Sequence, residues 1–289
     1  SRNYKNTDGI YETDFIRCVL WNGIASNTSE YCHSGDVFGG SKGSSNDVRF
    51  GLAKNTTTTI SGTAKINRSV FGGGEAGNVQ GTVIVNIDGG TIGVDVYGGG
   101  ALADSNTANW NATLNDGAGG WAEGMYNATT GKTTNTTTVN LTGGSIGGDA
   151  YGGGLGQKTG FNGGASDIEA TVYGDITVNL GTIGTPANGD NPAVPGTATA
   201  FNISFDNSGT TEAPVQVIKS GRVFGTNNLN GSPKGNVTVN VYKTVAGTLE
   251  GSPNQRTTIT REKGKIVSEA DTHTYEVAAI YGGGNLADY

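Results

Sequence analysis

Four stretches of this chain alternate apolar and polar residues with a period of two: 83–87, 137–141, 176–180 and 237–241. Each contains valine, asparagine and an aliphatic in succession: Val85-Asn86-Ile87, Val139-Asn140-Leu141, Val178-Asn179-Leu180 and Val239-Asn240-Val241. A period of two places successive side chains on opposite faces of a strand. Val83, Val85 and Ile87 therefore share one face, as do Ile176, Val178 and Leu180, and Val237, Val239 and Val241. The common phase predicts four stacked rungs of one sheet with the aliphatics inside. The four asparagines then either project from one outer face or align as a hydrogen-bonded ladder.

A second device recurs six times: an apolar residue, an aromatic, then glycine. Its copies are Val37-Phe38-Gly39, Val70-Phe71-Gly72, Val96-Tyr97-Gly98, Ala150-Tyr151-Gly152, Val223-Phe224-Gly225 and Ile280-Tyr281-Gly282. The shortest interval, Phe71 to Tyr97, is a plausible complete coil, and the longer ones read as one coil plus an insertion. Gly89-Gly90-Thr91-Ile92-Gly93 matches Gly143-Gly144-Ser145-Ile146-Gly147, as expected of a corner stacked on another corner. No stretch has the apolar spacing of three and four that marks a helix. The pattern predicts an all-β chain: a right-handed β-solenoid (β-helix) of about 26-residue coils, carrying large loop or hairpin insertions near 104–134, 185–222 and 243–279. Residues 1–34 do not match the repeat and read as an N-terminal cap or flanking segment, leaving 35–289 as one domain. The end, 282–288, matches 98–104, so continuation of a longer array or end-to-end self-association is expected.

Composition sharpens this. Of 289 residues, 51 are glycine, a share well above the roughly 7% of ordinary proteins. The glycines come in pairs and triplets, which excludes collagen. The formal net charge is −7 and no basic face is visible, so no nucleic-acid partner is expected. No apolar run has transmembrane length, so no membrane insertion is expected. Cys18 and Cys32 are a disulfide candidate worth roughly 3 kcal/mol of loop closure, or two free thiols.

The recurring VYGGG and GGTIG elements with alternating strands resemble the Gly-rich β-solenoid repeats of bacterial surface proteins, the adhesin and autotransporter-passenger type. The resemblance covers roughly 35–289. It implies an extracellular or cell-surface protein and a non-catalytic structural or adhesive module. Its implied partners are host or matrix glycans or surface proteins.

Candidate chemistry is sparse. Trp110, Trp121 and Tyr126 fall in one polar insertion and form a glycan-binding candidate, since aromatics stack on sugar rings; packing of that insertion is the plainer reading. A polysaccharide-active β-helix enzyme needs carboxylates on adjacent rungs. Asp95 and Asp149 could stack so, but no acid/base partner accompanies them. In GGTIGVD and GGSIGGD these aspartates approach calcium-binding nonapeptides, with solvated turn residues as the simpler reading. His33 and His273 belong to no triad or metal cluster, and the glycine triplets lack the helix and lysine of a phosphate loop. No catalytic residue, metal or cofactor is expected. The threonine runs 56–59 and 136–138 raise ice binding, but the other strands do not continue the array.

Overall fold

The computed structural model describes residues 4–5, 11–12, 35–43, 51–108, 110–111, 120–121, 126–127, 132–161, 166–189, 191–210, 213–247, 255–262, 265–274 and 276–288. Among them all regular structure is β. Two parallel sheets dominate, one of seven strands and one of six.

The seven-stranded sheet is built on the alternating runs. Its main path runs through Thr56–Ile60, Val83–Ile92, Thr136–Ile146, Asp175–Leu180 and Val237–Val241. All neighbours are parallel and in register: Thr58, Val85, Val139, Val178 and Val239 form one row across the sheet. Val83, Val85, Ile87, Val139, Leu141, Ile176, Val178 and Leu180 are fully buried. A one-residue slip would turn every one of these side chains to the opposite face, so burial fixes the register. Thr56–Ile60 was not among the strands expected from sequence. It joins because Thr56 and Thr58 turn inward, where both are buried, and the Thr56 hydroxyl donates to the Gly72 carbonyl at 2.7 Å. Lys65–Ile66 and Ala200–Phe201 extend the sheet, pairing Ile66 with Ile92 and Ile146 with Phe201.

The asparagines of this sheet form a hydrogen-bonded ladder. The Asn140 amide donates to Asn86 at 2.9 Å, Asn179 to Asn140 at 2.8 Å and Asn240 to Asn179 at 2.9 Å. The Asn86 amide reaches the Thr59 hydroxyl at 3.3 Å. Asn140→Leu is expected to leave Asn86 without its donor and Asn179 without its acceptor, destabilising by about 1–3 kcal/mol. Urea denaturation checks this: an unchanged midpoint would show that the ladder adds nothing.

The six-stranded sheet is made of very short strands: Val37–Phe38, Val70–Phe71, Val96–Tyr97, Ala150–Tyr151, Arg222–Phe224 and Ala279–Tyr281. Their parallel register aligns all six aromatics. The rings stack face to face, with centroids 4.7–5.0 Å apart and interplanar angles of 4–12°. Aliphatics between the two sheets make one core cluster; this ring column, with Ala101, Leu155 and Leu229, makes a second.

The right-handed β-solenoid of about 26-residue coils expected from sequence is corrected by this architecture. The structure is two parallel sheets, and no coil length repeats. Successive aromatic rows lie 33, 26, 54, 73 and 57 residues apart. In-register pairing requires matching faces in neighbouring strands, not equal lengths of chain between them. Two-stranded antiparallel ladders occupy several connecting segments: Trp110–Asn111 with Gly120–Trp121, Tyr126–Asn127 with Lys132–Thr133, Phe205–Thr210 with Ala213–Ile218, and Gln255–Glu262 with Lys265–Thr274. In the N-terminal segment Tyr4–Lys5 pairs with Tyr11–Glu12. Cys18 and Cys32 lie outside the described residues.

Candidate functional site

The densest polar chemistry lies beside the ring column. Asp36, Ser69, Asp95, Asp149 and Arg222 occupy one position, immediately before the apolar residue of the aromatic device. In this parallel register each side chain stands next to the backbone of the following row. The Asp36 carboxylate accepts from the Ser69 amide at 3.0 Å, and the Ser69 hydroxyl from the Asp95 amide at 3.3 Å. Asp95 accepts from the Asp149 amide at 2.7 Å, and Asp149 from the Arg222 amide at 2.8 Å. The column thus satisfies the strand-entry amides of four consecutive rows, which their own short strands could not do.

The second carboxylate oxygens have separate partners. Asp36 pairs with Arg68 at 3.2 Å, and Asp149 with Arg222 at 2.6 Å. The Tyr97 hydroxyl donates to Asp95 at 2.9 Å, and the Tyr151 hydroxyl to Asp149 at 3.3 Å. Asn228 in turn donates to the Tyr97 hydroxyl at 2.8 Å. This accounts for tyrosine in the two inner rows that carry it. Tyr97 and Tyr151 stand two residues after an aspartate that accepts a hydrogen bond from their hydroxyl. Phe71 and Phe224 follow Ser69 and Arg222, which offer a ring hydroxyl no carboxylate; Phe38 follows Asp36, which pairs with Arg68, and Tyr281 follows Ala279 with its ring exposed. The Arg222 guanidinium also lies 5.2 Å from the centre of the Phe224 ring.

Burial dominates the electrostatics. It pushes the Asp95 carboxyl up to about 7, and the negative Asp149 in the next row adds to the effect. The Asp149 amide, the Tyr97 hydroxyl and Arg222 oppose the rise without reversing it. Asp104 is likewise pushed up to about 7, by burial first and then by Glu169, against the Thr171 amide and Lys234. Burial raises Asp36 despite Arg68. The Tyr97 and Tyr151 hydroxyls are held well above the usual tyrosine range, by burial and then by the charge of Asp95. Asp95 and Asp149 are therefore not the solvated turn residues expected from sequence: Asp149 is buried, and both hold backbone amides. What this column can do chemically is bind a proton near neutrality.

A different surface lies at the last described rows of the two sheets. Among the described residues Val237–Val241 and Ala279–Tyr281 are the terminal strands of their sheets. The Thr244 hydroxyl, just past the first, hydrogen-bonds the Glu276 carboxylate, just before the second. Val241, Tyr242, Ile280, Tyr281 and Leu286 are all exposed, in contrast to their counterparts in the inner rows. Tyr281 stacks on Phe224 at 5.0 Å and is 45% exposed, and among the described residues no second ring stacks on it. Asn285 extends a smaller amide ladder there, donating to Asn228 at 3.0 Å. This terminal ring was not singled out in the sequence, where it is one of six equivalent aromatics.

The aromatics chosen from sequence are placed only by their backbones. Trp110 stands opposite Trp121 in one ladder, and Tyr126 lies in a separate one opposite Thr133. Among the described residues no group of three His, Cys, Asp or Glu side chains is arranged to hold a metal ion, and no helix is long and apolar enough to cross a membrane.

No family model and no solved structure matches the chain. Two curated proteins are similar to part of it. Single-stranded DNA-binding protein B of Bacillus subtilis is 42% identical over 39 residues, covering 14% of this chain and 34% of that protein. Single-stranded DNA-binding protein 1 of Streptococcus pyogenes serotype M18 is 46% identical over 37 residues, covering 13% of this chain and 28% of that protein. The match thus spans about a third of the length of these relatives. It overturns two expectations: a structural or adhesive module with glycan binding as its alternative, and the exclusion of nucleic acid from the partners alongside glycans and surface proteins. The exclusion rested on net charge, which governs phosphate contacts. Single strands are also held through the faces of their bases, which net charge does not report.

Proposed function

We propose that this chain is a non-catalytic binding protein for single-stranded nucleic acid, engaged by base stacking at the exposed end of the ring column. The observation that carries the reading is Tyr281, backed by a rigid stack and exposed at 45%. A ring held in place by five others loses little freedom when a base settles on it. Such stacking is worth about 1–3 kcal/mol per base and tolerates any sequence. Exposed Tyr242 and the adjoining Lys243 follow the other terminal strand and extend the same end. The partial similarity to single-stranded DNA-binding proteins supports the same ligand class.

The charge of −7 makes this mode distinctive. A basic binder loses affinity steeply as salt rises, because it releases counterions from the phosphates. Here added salt screens repulsion, so affinity is expected to stay level or rise with salt. Fluorescence anisotropy with a labelled oligothymidine, single-stranded or annealed to its complement, tests the reading. Binding of the single strand alone is expected, with Tyr281→Ala weakening it about tenfold, the equivalent of 1.4 kcal/mol, and Tyr281→Phe retaining it. Equal binding of the duplex, or no effect of Tyr281→Ala, would overturn it.

A further inference from the structure

Four Asn-Gly pairs occur in the sequence, at Asn22, Asn162, Asn188 and Asn230, and the last two lie among the described residues. The pair is chemically labile because glycine has no side chain to hinder its backbone nitrogen from reaching the preceding asparagine's side chain. Thermolabile asparagines are depleted in proteins that work hot. In the folded chain the two described pairs have opposite surroundings.

Asn230 is held. Its side-chain amide donates to the Gln157 carbonyl at 3.0 Å, and its side-chain oxygen accepts from the Gly231 amide at 3.0 Å. Its backbone amide reaches the Leu155 carbonyl at 3.3 Å, and a side chain added at Gly156 would collide with the Asn230 backbone. The Gly231 N–H is engaged with the Asn230 side-chain oxygen while the Gln157 carbonyl holds the side-chain nitrogen, so the side chain is pinned at both ends and cannot turn the face of its carbon towards the Gly231 nitrogen.

Asn188 lies at the tip of a hairpin arm between the strands Asp175–Leu180 and Ala200–Phe201. The arm is laced by the Thr185–Val194 bridge and closed by reciprocal backbone bonds between Asn188 and Asn191, both 3.1 Å. Asn188 and Gly189 are exposed, and among the described residues nothing bonds the Asn188 side chain or the Gly189 amide. Gly189 has φ +58°, and a side chain built on it would meet nothing within 4 Å. The closing pair is the last of its ladder, so fraying it frees the one torsion that the reaction needs.

We propose that Asn188 is a site of spontaneous deamidation in the folded protein, with Asn230 protected. The Gly189 nitrogen attacks the Asn188 side-chain carbon and loses its proton. A new C–N bond closes a five-membered succinimide, the bond to the side-chain nitrogen breaks, and ammonia leaves. Water then opens the ring at either carbonyl, giving aspartate or isoaspartate; no oxidant or reductant takes part. Either product adds a negative charge beside Asp190, and isoaspartate inserts an extra carbon into the backbone at the closing pair.

The test uses the full chain, incubated folded in mildly alkaline buffer and sampled over days. Digestion and fragment mass spectra then locate conversion of amide to acid. Conversion is expected at Asn188 as two resolved isomers, with Asn230 unchanged, and Asn188→Gln should abolish it. In denaturant both sites are expected to convert at similar rates, because the protection is structural. Equal rates at the two sites in the folded chain, or an intact Asn188 in the folded chain that converts only when unfolded, would overturn the proposal.

Discussion

Lowering the pH from about 8 to about 5 is expected to raise the melting temperature of this protein, against the usual trend of stabilities that peak nearer neutrality. The cause is the pair of carboxyls at Asp95 and Asp104, each pushed from an ordinary 3.8 to about 7. A carboxyl whose value is raised by folding binds a proton more tightly in the folded than in the unfolded state. Its stabilising contribution is complete below the unfolded value and is lost as pH rises through the folded one. The window therefore runs from about 4 to about 7, and stability declines across it. Each group contributes of order a few kcal/mol, since a tenfold change in proton affinity corresponds to 1.36 kcal/mol. Asp95→Asn provides the sharper test. The amide imitates the protonated acid, keeps an oxygen for the Asp149 amide and offers Tyr97 a partner. At pH 8 this variant is expected to be more stable than the parent by about 2–4 kcal/mol and to show a shallower pH slope. Calorimetry across the window measures both; a melting temperature that falls on acidification, or a destabilised Asp95→Asn, would refute the assignment.

The second large effect concerns glycine at the close approach between rows. Gly98 follows Tyr97, and a methyl group there would intrude on the Gly152 carbonyl oxygen in the next row and lie 2.8 Å from the Thr137 and Val139 methyls. None of the three can withdraw: Thr137 and Val139 belong to one in-register strand, and Gly152 directly follows another. Gly98→Ala is expected to destabilise by more than about 4 kcal/mol, through overpacking that the backbone cannot absorb. Gly282 occupies the same place in the last row and has nothing within 4 Å. Gly282→Ala is therefore expected to stay within about 0.5 kcal/mol of the parent. Denaturant titration of the two variants gives the comparison directly. Similar costs at both positions would mean that local backbone preference, and not the neighbouring row, sets the requirement for glycine.

The rows with aliphatics inside were legible because period-two alternation is a one-dimensional signal. The six aromatics were legible for the same reason, each marked by the glycine after it. Thr56–Ile60 was not, since four threonines look polar until two of them are seen turned into the core. Phe201 was hidden by distance: the chain leaves the sheet after Leu180 and returns twenty residues later to pair with Ile146. The polar column was illegible for a different reason. Its members are aspartate, serine and arginine, so no repeated letter marks the position. Their common task, holding the amide of the next row, exists only once the rows are neighbours. Counting charges likewise gave −7 without showing that Asp149 is buried.

The unequal row spacings carry a consequence for how such a chain can change over generations. Each row is fixed to its neighbours by strand pairing, ring stacking and the amide-holding side chains, none of which involves the connecting segment. The remaining cost of a longer connection is the entropy of closing it, which grows only with the logarithm of its length. By that measure a connection of 73 residues in place of 26 costs only about 1 kcal/mol. Segments between rows are thus almost free to lengthen, shorten or be exchanged while the two sheets stay unchanged. New sequence can be tried there without first solving a folding problem.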